Sequence, residues 1–189
     1  MKRLLWSIGA AAAVVGITAC IKAVLKAHRD TIPEECVDGG VRRYNSGEDA
    51  PKVINSTEIT EFRCTFSLFA AAEPNELGNG LYELEAVLSN GTVSCSIKSR
   101  KRIKAEADRY FEADISFMEK LQEIVSTYGF AKHNGYSYEI SGLPDMYGCK
   151  IDVCYASGEY IHAYNNQSVF LPDDALNALY SLFDEYSKK

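Results

Sequence analysis

The sequence predicts an α+β fold: an antiparallel sheet of four to five strands with two helices packed on one face, preceded by an N-terminal apolar helix. Two β-rich stretches, 59–98 and 149–164, alternate apolar and polar residues with a period of two. Each is followed by an amphipathic segment with the helical period, at 116–129 and 172–186. Successive strands are not separated by long crossover helices, which favours antiparallel pairing.

The first strand and the hairpin after it have the clearest local patterns. Ile59–Phe69 places Phe62, Cys64, Phe66 and Leu68 on one face. Asn90-Gly91 then separates Leu81–Ser89 from Thr92–Lys98, the signature of a two-residue type I′ turn. Pairing Ser89 with Thr92 aligns the apolar residues, as Leu88 with Val93, Ala86 with Cys95 and Leu84 with Ile97, and sets Glu83 opposite Lys98.

The first helix is predicted to begin with a capping box formed by Ser116 and Glu119 and to end at Gly129. Its apolar stripe is Phe117, Met118, Leu121, Ile124, Val125 and Tyr128. A turn at Asn134-Gly135 and a short strand at Tyr136–Ile140 follow.

The second hairpin joins Cys149–Tyr155 to Glu159–Tyr164. A three-residue loop with Gly158 in the left-handed conformation pairs Val153 with Ile161 and Ile151 with Ala163, which keeps the apolar residues on one face. The last helix is predicted to start at Pro172-Asp173-Asp174. Its buried stripe is Leu176, Leu179, Tyr180, Phe183 and Tyr186.

The N-terminal segment determines the predicted location of the protein. Leu4–Ile21 carries no charge and has no polar face, so it is not a buried amphipathic helix. Three interpretations remain: an uncleaved membrane anchor over residues 4–25, a lipoprotein signal whose Ile17-Thr18-Ala19-Cys20 lipobox makes Cys20 the lipidated residue, or an ordinary cleaved signal peptide. The helical continuation through Leu25 favours the anchor, and the signal-like order of the segment favours a domain outside the cytoplasm.

Charge and composition divide the chain into three parts. Residues 1–29 form the membrane anchor or lipoprotein-type signal, 30–55 a polar linker, and 56–189 the globular domain. Residues 30–189 carry 15 basic and 26 acidic residues, a formal net charge of −11, which argues against nucleic-acid binding. The basic run Arg100, Lys101, Arg102 and Lys104 is interpreted as a solvated edge or loop rather than an anion site.

The six cysteines, at 20, 36, 64, 95, 149 and 154, have neither CxxC nor zinc-finger spacing. Free buried thiols are favoured over a disulfide, for which Cys64–Cys95 is the pair to check. No histidine pair has the spacing of metal ligands, so no metal or other cofactor is expected.

The second hairpin carries the candidate site. Its predicted register puts Asp152, Cys154, Tyr160, His162 and Tyr164 on one face, with Asp152 opposite His162. The favoured function is a non-enzymatic binding or interaction module at the cell surface, using Tyr160, His162 and Tyr164 for an unspecified protein or small-molecule partner and no catalytic residue. The alternative is a small hydrolase-like enzyme using the Asp152/His162/Cys154 face.

Several segments resemble a group of uncharacterised membrane-anchored or exported, lipoprotein-like α+β proteins of anaerobic Firmicutes. They are Phe117–Val125, Asn134-Gly135, the Ile151–Tyr155, Gly158 and Ile161–Ala163 hairpin, and Phe170–Pro172, and the resemblance covers residues 56–186. These motifs are structural, so the resemblance implies a fold and no activity.

Overall fold

The structure is a computed structural model that describes residues 34–37, 40–45, 47–69, 75–101, 107–142 and 147–189. The chain divides into two compact units, residues 1–34 and 35–189, and the second holds the domain described below. The predicted apolar helix, the 4–25 anchor and Cys20 all lie outside the described residues. Within the described ranges, no helix combines the length and the hydropathy needed to cross a bilayer.

The described residues form nine strands, two α-helices and one 3-10 helix. The strands are β1 (Glu34–Val37), β2 (Gly40–Asn45), β3 (Ile59–Ser67), β4 (Gly80–Ser89), β5 (Thr92–Lys101), β6 (Arg109–Ala113), β7 (Ser137–Ile140), β8 (Cys149–Tyr155) and β9 (Tyr160–Asn165). The helices are α1 (Ile115–Thr127), α2 (Asp173–Tyr186) and the 3-10 helix Phe130–His133.

The strands make one mixed sheet in the order β1-β2-β7-β9-β8-β3-β4-β5-β6. Of these strands, β2 to β9 lie wholly within the 35–189 unit, and β1 begins at its boundary. β7 and β9 are parallel. The pair β2–β7 is antiparallel, and so are the successive pairs β9–β8, β8–β3, β3–β4, β4–β5 and β5–β6. The α+β class is confirmed, but the expectation of a purely antiparallel sheet of four to five strands is wrong.

Both hairpin registers are confirmed. Ser89 lies opposite Thr92 and Glu83 opposite Lys98, and Asn90 and Gly91 have the positive φ angles of 52° and 81° that a type I′ turn requires. In the second hairpin Val153 lies opposite Ile161, and Gly158 has a φ of 85°. The alternation of apolar residues therefore fixes which side chains of these strands enter the core.

The core lies between one face of the sheet and the two helices. The Phe117 ring of α1 packs edge-on against the Phe183 ring of α2, with centroids 4.9 Å apart. Phe183 also contacts Phe62 of β3 at 6.2 Å, and Phe117 contacts Phe111 of β6 at 6.5 Å. Placement of both helices on one face leaves the opposite face of β3, β4, β5 and β8 polar.

The helix starts differ slightly from the prediction. Asp114, not Ser116, is the N-cap of α1, and its carboxylate accepts hydrogen bonds from the backbone N–H and the hydroxyl of Ser116. A carboxylate two residues before an N–H in the first helical turn has suitable cap geometry, which displaces the Ser116–Glu119 box. α2 begins at Asp173, directly after Pro172.

The structure describes part of the segment 30–55 that the sequence predicts as a polar linker. β1 and β2 lie in this segment, and residues after β2 are fastened to the domain. The amide of Asn134 donates to the Pro51 carbonyl at 2.9 Å, and the Glu159 carboxylate accepts from the backbone N–H groups of Asn55 and Ser56 at 2.9 and 3.0 Å. These are long-range bonds to turn residues, so the local pattern of 30–55 contains no sign of them.

Candidate functional site

The candidate site is the polar side of the β8–β9 hairpin, here called the hairpin face. It consists of Lys150, Asp152 and Cys154 on β8 and Tyr160, His162 and Tyr164 on β9. The alternating residues Ile151, Val153, Ile161 and Ala163 are buried on the helix side. Because side chains alternate along a strand, burial of this apolar set presents the polar set on the opposite side. The structure thus places all five predicted site residues on one face.

Asp152 and His162 form the closest polar contact of the hairpin face. They are directly opposite in the register, and Nδ1 of His162 lies 2.5 Å from Oδ1 of Asp152. Nζ of Lys150 lies 3.1 Å from the other carboxylate oxygen. Partial burial raises the pKa of Asp152, but the hydrogen bonds from His162 and Lys150 outweigh it, so the pKa lies below its ordinary value. Asp152 is therefore an ionised carboxylate that orients the imidazole.

The Asp152–His162 pair belongs to a polar row that crosses the sheet, in which Asp152, Arg63 and Glu85 alternate in charge. The registers align, in order, His162, Asp152, Arg63, Glu85, Ser96 and Tyr110. Nε of Arg63 lies 2.8 Å from Oε1 of Glu85. Opposite charges placed directly across strands stabilise a sheet, so the row explains the Asp152–His162 contact without invoking catalysis.

Cys154 lacks the surroundings of a reactive thiol. It lies opposite Tyr160 and is exposed. Partial burial of the thiol, followed by the carboxylates of Glu61 and Asp152, raises its pKa. Among the described contacts, no hydrogen bond joins Cys154 to His162. A nucleophilic cysteine needs surroundings that favour the thiolate; the Arg63 charge does so here, but burial and the two carboxylates outweigh it.

The backbone of β9 is held on its β7 side by Asn134, which the sequence predicts only as a turn residue. Asn134 is fully buried; its Nδ2 donates to the Tyr160 carbonyl at 3.0 Å, and its Oδ1 accepts from the His162 N–H at 2.9 Å. The neighbouring Gly135 N–H donates to the His162 carbonyl at 2.7 Å. Asn134 thus takes the place of a strand beside this part of β9. The Asn-Gly pair indicated a turn, but its pairing to β9 is not visible in the sequence.

The hairpin face is exposed to solvent. Tyr160 is 57 % exposed, and the side chain of His162 is 46 % exposed although its Nδ1 contacts Asp152. Surface depressions lie elsewhere: one beside α2 with Leu77 and Asp184, one between Thr92 and Tyr186, and one between Leu68 and Ser168. None of the three is lined by Asp152, Cys154 or His162.

The other predicted features are placed as follows. Arg100 in the basic run binds Asp108 with two hydrogen bonds of 2.6 and 3.3 Å, so its charge is already paired, and residues 102–106 lie outside the described residues. Cys64 and Cys95 are free thiols. They are on β3 and β5 with β4 between them, a separation of about 10 Å that a disulfide cannot span.

The buried thiols lie on the helix side of the sheet, away from the hairpin face. A hydrogen bond with Cys149, together with full burial, raises the pKa of Cys64 well above its ordinary value. Burial raises the pKa of Cys95 to about 12. Within the described part of the chain, no group of three or more His, Cys, Asp or Glu side chains is arranged to hold a metal ion.

No protein-family model, curated protein sequence or solved structure matches the chain significantly.

Proposed function

We propose that the protein is a membrane-attached, non-enzymatic interaction module, held by residues 4–25 or by a lipidated Cys20, which presents the hairpin face to a partner outside the cytoplasm. The observation that carries the binding role is the exposed Tyr160 beside His162 on a face whose β9 backbone is hydrogen-bonded to Asn134. Tyrosine combines a large apolar area with a hydroxyl and loses little conformational entropy on binding. It is among the residues enriched in the centres of protein interfaces.

The exposure of Tyr160 and His162 favours a protein partner over a small molecule. Small-molecule sites are concave and bury most of the ligand surface, whereas the depressions beside α2 and near Ser168 do not reach this face. A protein interface needs an exposed aromatic anchor surrounded by polar groups. Tyr160, with Lys150 and the Asp152–His162 pair nearby, has this composition.

The hydrolase-like alternative has one supporting observation, the short Asp152–His162 contact. A carboxylate that orients an imidazole is one part of a nucleophilic site. The raised pKa of Cys154 and the exposure of His162 argue against the other parts. Substitution of Cys154 by serine separates the two functions, because a thiol nucleophile would lose its activity and an interaction face would keep its partner.

A photo-crosslinking experiment in intact cells tests the hairpin face. Benzoylphenylalanine replaces Tyr160 in one variant and Tyr110 in a matched control; both tyrosines are exposed and lie on the same side of the sheet, on β9 and β6. We expect a discrete, light-dependent protein adduct at position 160 that is weak or absent at 110. Equal adducts at both positions, or none at 160, would contradict a protein-binding hairpin face.

Intact-mass measurement of the membrane-extracted protein tests how it is attached. Loss of residues 1–19 with added acyl mass identifies lipidated Cys20, and an unmodified full-length chain identifies the anchor. Loss of the N-terminal segment without acylation, together with release from the membrane, would contradict attachment.

A further inference from the structure

Four aromatic side chains form a cluster at the β2–β7 end of the domain, here called the tyrosine shelf: Tyr44, Tyr136, Tyr138 and Phe170. The Tyr44 ring centroid lies 6.3 Å from that of Tyr136 and 6.4 Å from that of Tyr138, in edge-on contacts. Tyr136 in turn contacts Phe170 at 5.6 Å. Tyr44 is 54 % exposed although its neighbours support it on two sides. The shelf is therefore an aromatic surface that the domain covers only in part.

The shelf is made of residues suited to the boundary between water and lipid. Tyr136 keeps its hydroxyl in a hydrogen bond, accepting from Nδ2 of Asn165 at 2.8 Å, while its ring joins the apolar cluster. Tyrosine and tryptophan are enriched at membrane interfaces because one end of the side chain is apolar and the other polar. Phe170 adds a purely apolar ring.

The charge beside the shelf is also compatible with a membrane. His133 packs against Phe170 at 5.2 Å, and burial, followed by the charges of Lys132 and Lys52, lowers the pKa of its imidazole. His133 is therefore neutral at pH 7 and adds no charge to the aromatic surface. Lys132 is an exposed cation close to it, whereas the ammonium of Lys52 donates to the carbonyls of Gly47 and Asn134. A cation beside an aromatic surface favours anionic headgroups.

The shelf lies at the end of the sheet where the chain arrives from the proposed anchor. Glu34, the start of β1, is nine residue steps from Leu25, so even a fully extended connection reaches about 32 Å at most. β2 carries Tyr44 and pairs with β7. The other end, β6, is seven strands from β2, about 34 Å across the sheet. The chain connection thus restrains the shelf end of the sheet more closely than the β6 end.

From these observations we propose that the tyrosine shelf contacts the interfacial layer of the bilayer to which the chain is attached. The proposal rests on the proposed membrane attachment and adds a second, surface contact between the domain and lipid. The domain as a whole is acidic, so this contact depends on the local aromatic and basic groups rather than on net charge.

Quenching by brominated lipid tests the shelf in the full-length chain. Trp6 is the single tryptophan, so a Trp6→Phe background removes its signal. Tyr44→Trp then reports from the shelf and Tyr110→Trp, an exposed position on β6, serves as the matched control. Both variants are placed in phosphatidylcholine–phosphatidylglycerol vesicles with and without bromine on the acyl chains. We expect brominated lipid to reduce the emission from position 44 by about half and to leave position 110 unchanged.

Flotation of the same vesicles separates the two proposals. A chain that does not float with the vesicles overturns the attachment and the shelf contact together. A chain that floats but shows equal quenching at the two positions overturns the shelf contact alone. A third result is that brominated lipid leaves the emission from position 44 unchanged, while that emission changes only as the protein concentration rises. This result would assign the shelf to contact with a second copy of the chain, which also overturns the proposal.

Discussion

The His162 imidazole and the Asp152 carboxylate are joined across the β8–β9 hairpin, with Nδ1 of His162 2.5 Å from Oδ1 of Asp152. Because Asp152 also pairs with Lys150 and lies opposite Arg63, the contact belongs to a charged row of the sheet. The same pair would be half of a catalytic site if a nucleophile and a cleft were beside it. The raised pKa of the Cys154 thiol and the exposure of the pair do not favour catalysis, so we interpret the hairpin face as an interaction surface.

The first prediction concerns acid stability. The pKa of Asp152 is lower in the folded state than in the unfolded chain, so its ion pairs stabilise the fold above the unfolded pKa of about 3.9 and this contribution is lost as the pH falls through the folded value. Asp152→Asn should lower the free energy of unfolding by about 0.5–1 kcal/mol at pH 7. Denaturant titrations at a series of pH values should show this difference shrinking in acid. A difference that is constant across the series would contradict the ion pairs.

The second prediction concerns Asn134. Its amide makes three hydrogen bonds from a fully buried position, to Pro51, Tyr160 and His162. Asn134→Ala leaves these backbone groups without partners and should destabilise the domain by about 2–4 kcal/mol. Denaturant unfolding measures the loss, and hydrogen exchange should show a faster exchange of the His162 N–H. Lys132→Ala, an exposed neighbour, is the control and should change neither.

The third prediction compares two glycines with positive φ. A Cβ at Gly135 would lie 2.5 Å from Cβ of Ala50 and 2.9 Å from Cα of Gly47, whereas a Cβ at Gly158 would meet nothing within 4 Å. Gly158→Ala should cost about 1–2 kcal/mol for backbone strain alone. Gly135→Ala should cost about 3 kcal/mol or more, because the docked 47–50 segment must move. Equal losses of unfolding free energy would show that this segment is not held against the domain.

The fold was predictable where its determinants are local. Asn90-Gly91 and the alternation around it fixed the β4–β5 register, and Gly158 did the same for β8–β9. β2 and β6 were missed because each is short and placed by a neighbouring strand rather than by a strong pattern of its own. The parallel β7–β9 pair brings together segments separated by the whole of β8, which no local pattern could show.

The candidate site was predictable to a similar extent. The hairpin register determined which side chains share a face, so all five predicted residues were found together. The shape of that face depends on the neighbouring strand β3 and on the Asn134 turn. Arg63 supplies the next charge of the row, and nothing in its own strand pattern indicates that it lies opposite Asp152. The sequence alone therefore left two alternatives for this face, a hydrolase-like site that uses Asp152, His162 and Cys154 and an interaction surface.

The fourth prediction concerns the cysteines. Cys154 is exposed, whereas Cys64, Cys95 and Cys149 are buried, with the pKa of Cys64 and of Cys95 strongly raised. Treatment of the native protein with iodoacetamide should modify Cys154 and leave the three buried thiols unmodified until denaturant is added. Peptide mass spectrometry measures this directly. Modification of Cys64 in the native state would contradict its place in the core.

Membrane fractionation of the whole chain tests the central claim most directly. Residues 30–189 carry a net charge of −11, so surface electrostatics would not hold this domain on an anionic membrane, and the proposed attachment depends on the N-terminal segment. We predict that the full-length protein stays in the membrane pellet after an alkaline carbonate wash, and that a variant lacking residues 4–25 moves to the supernatant. Release of the full-length protein by the wash would contradict the account.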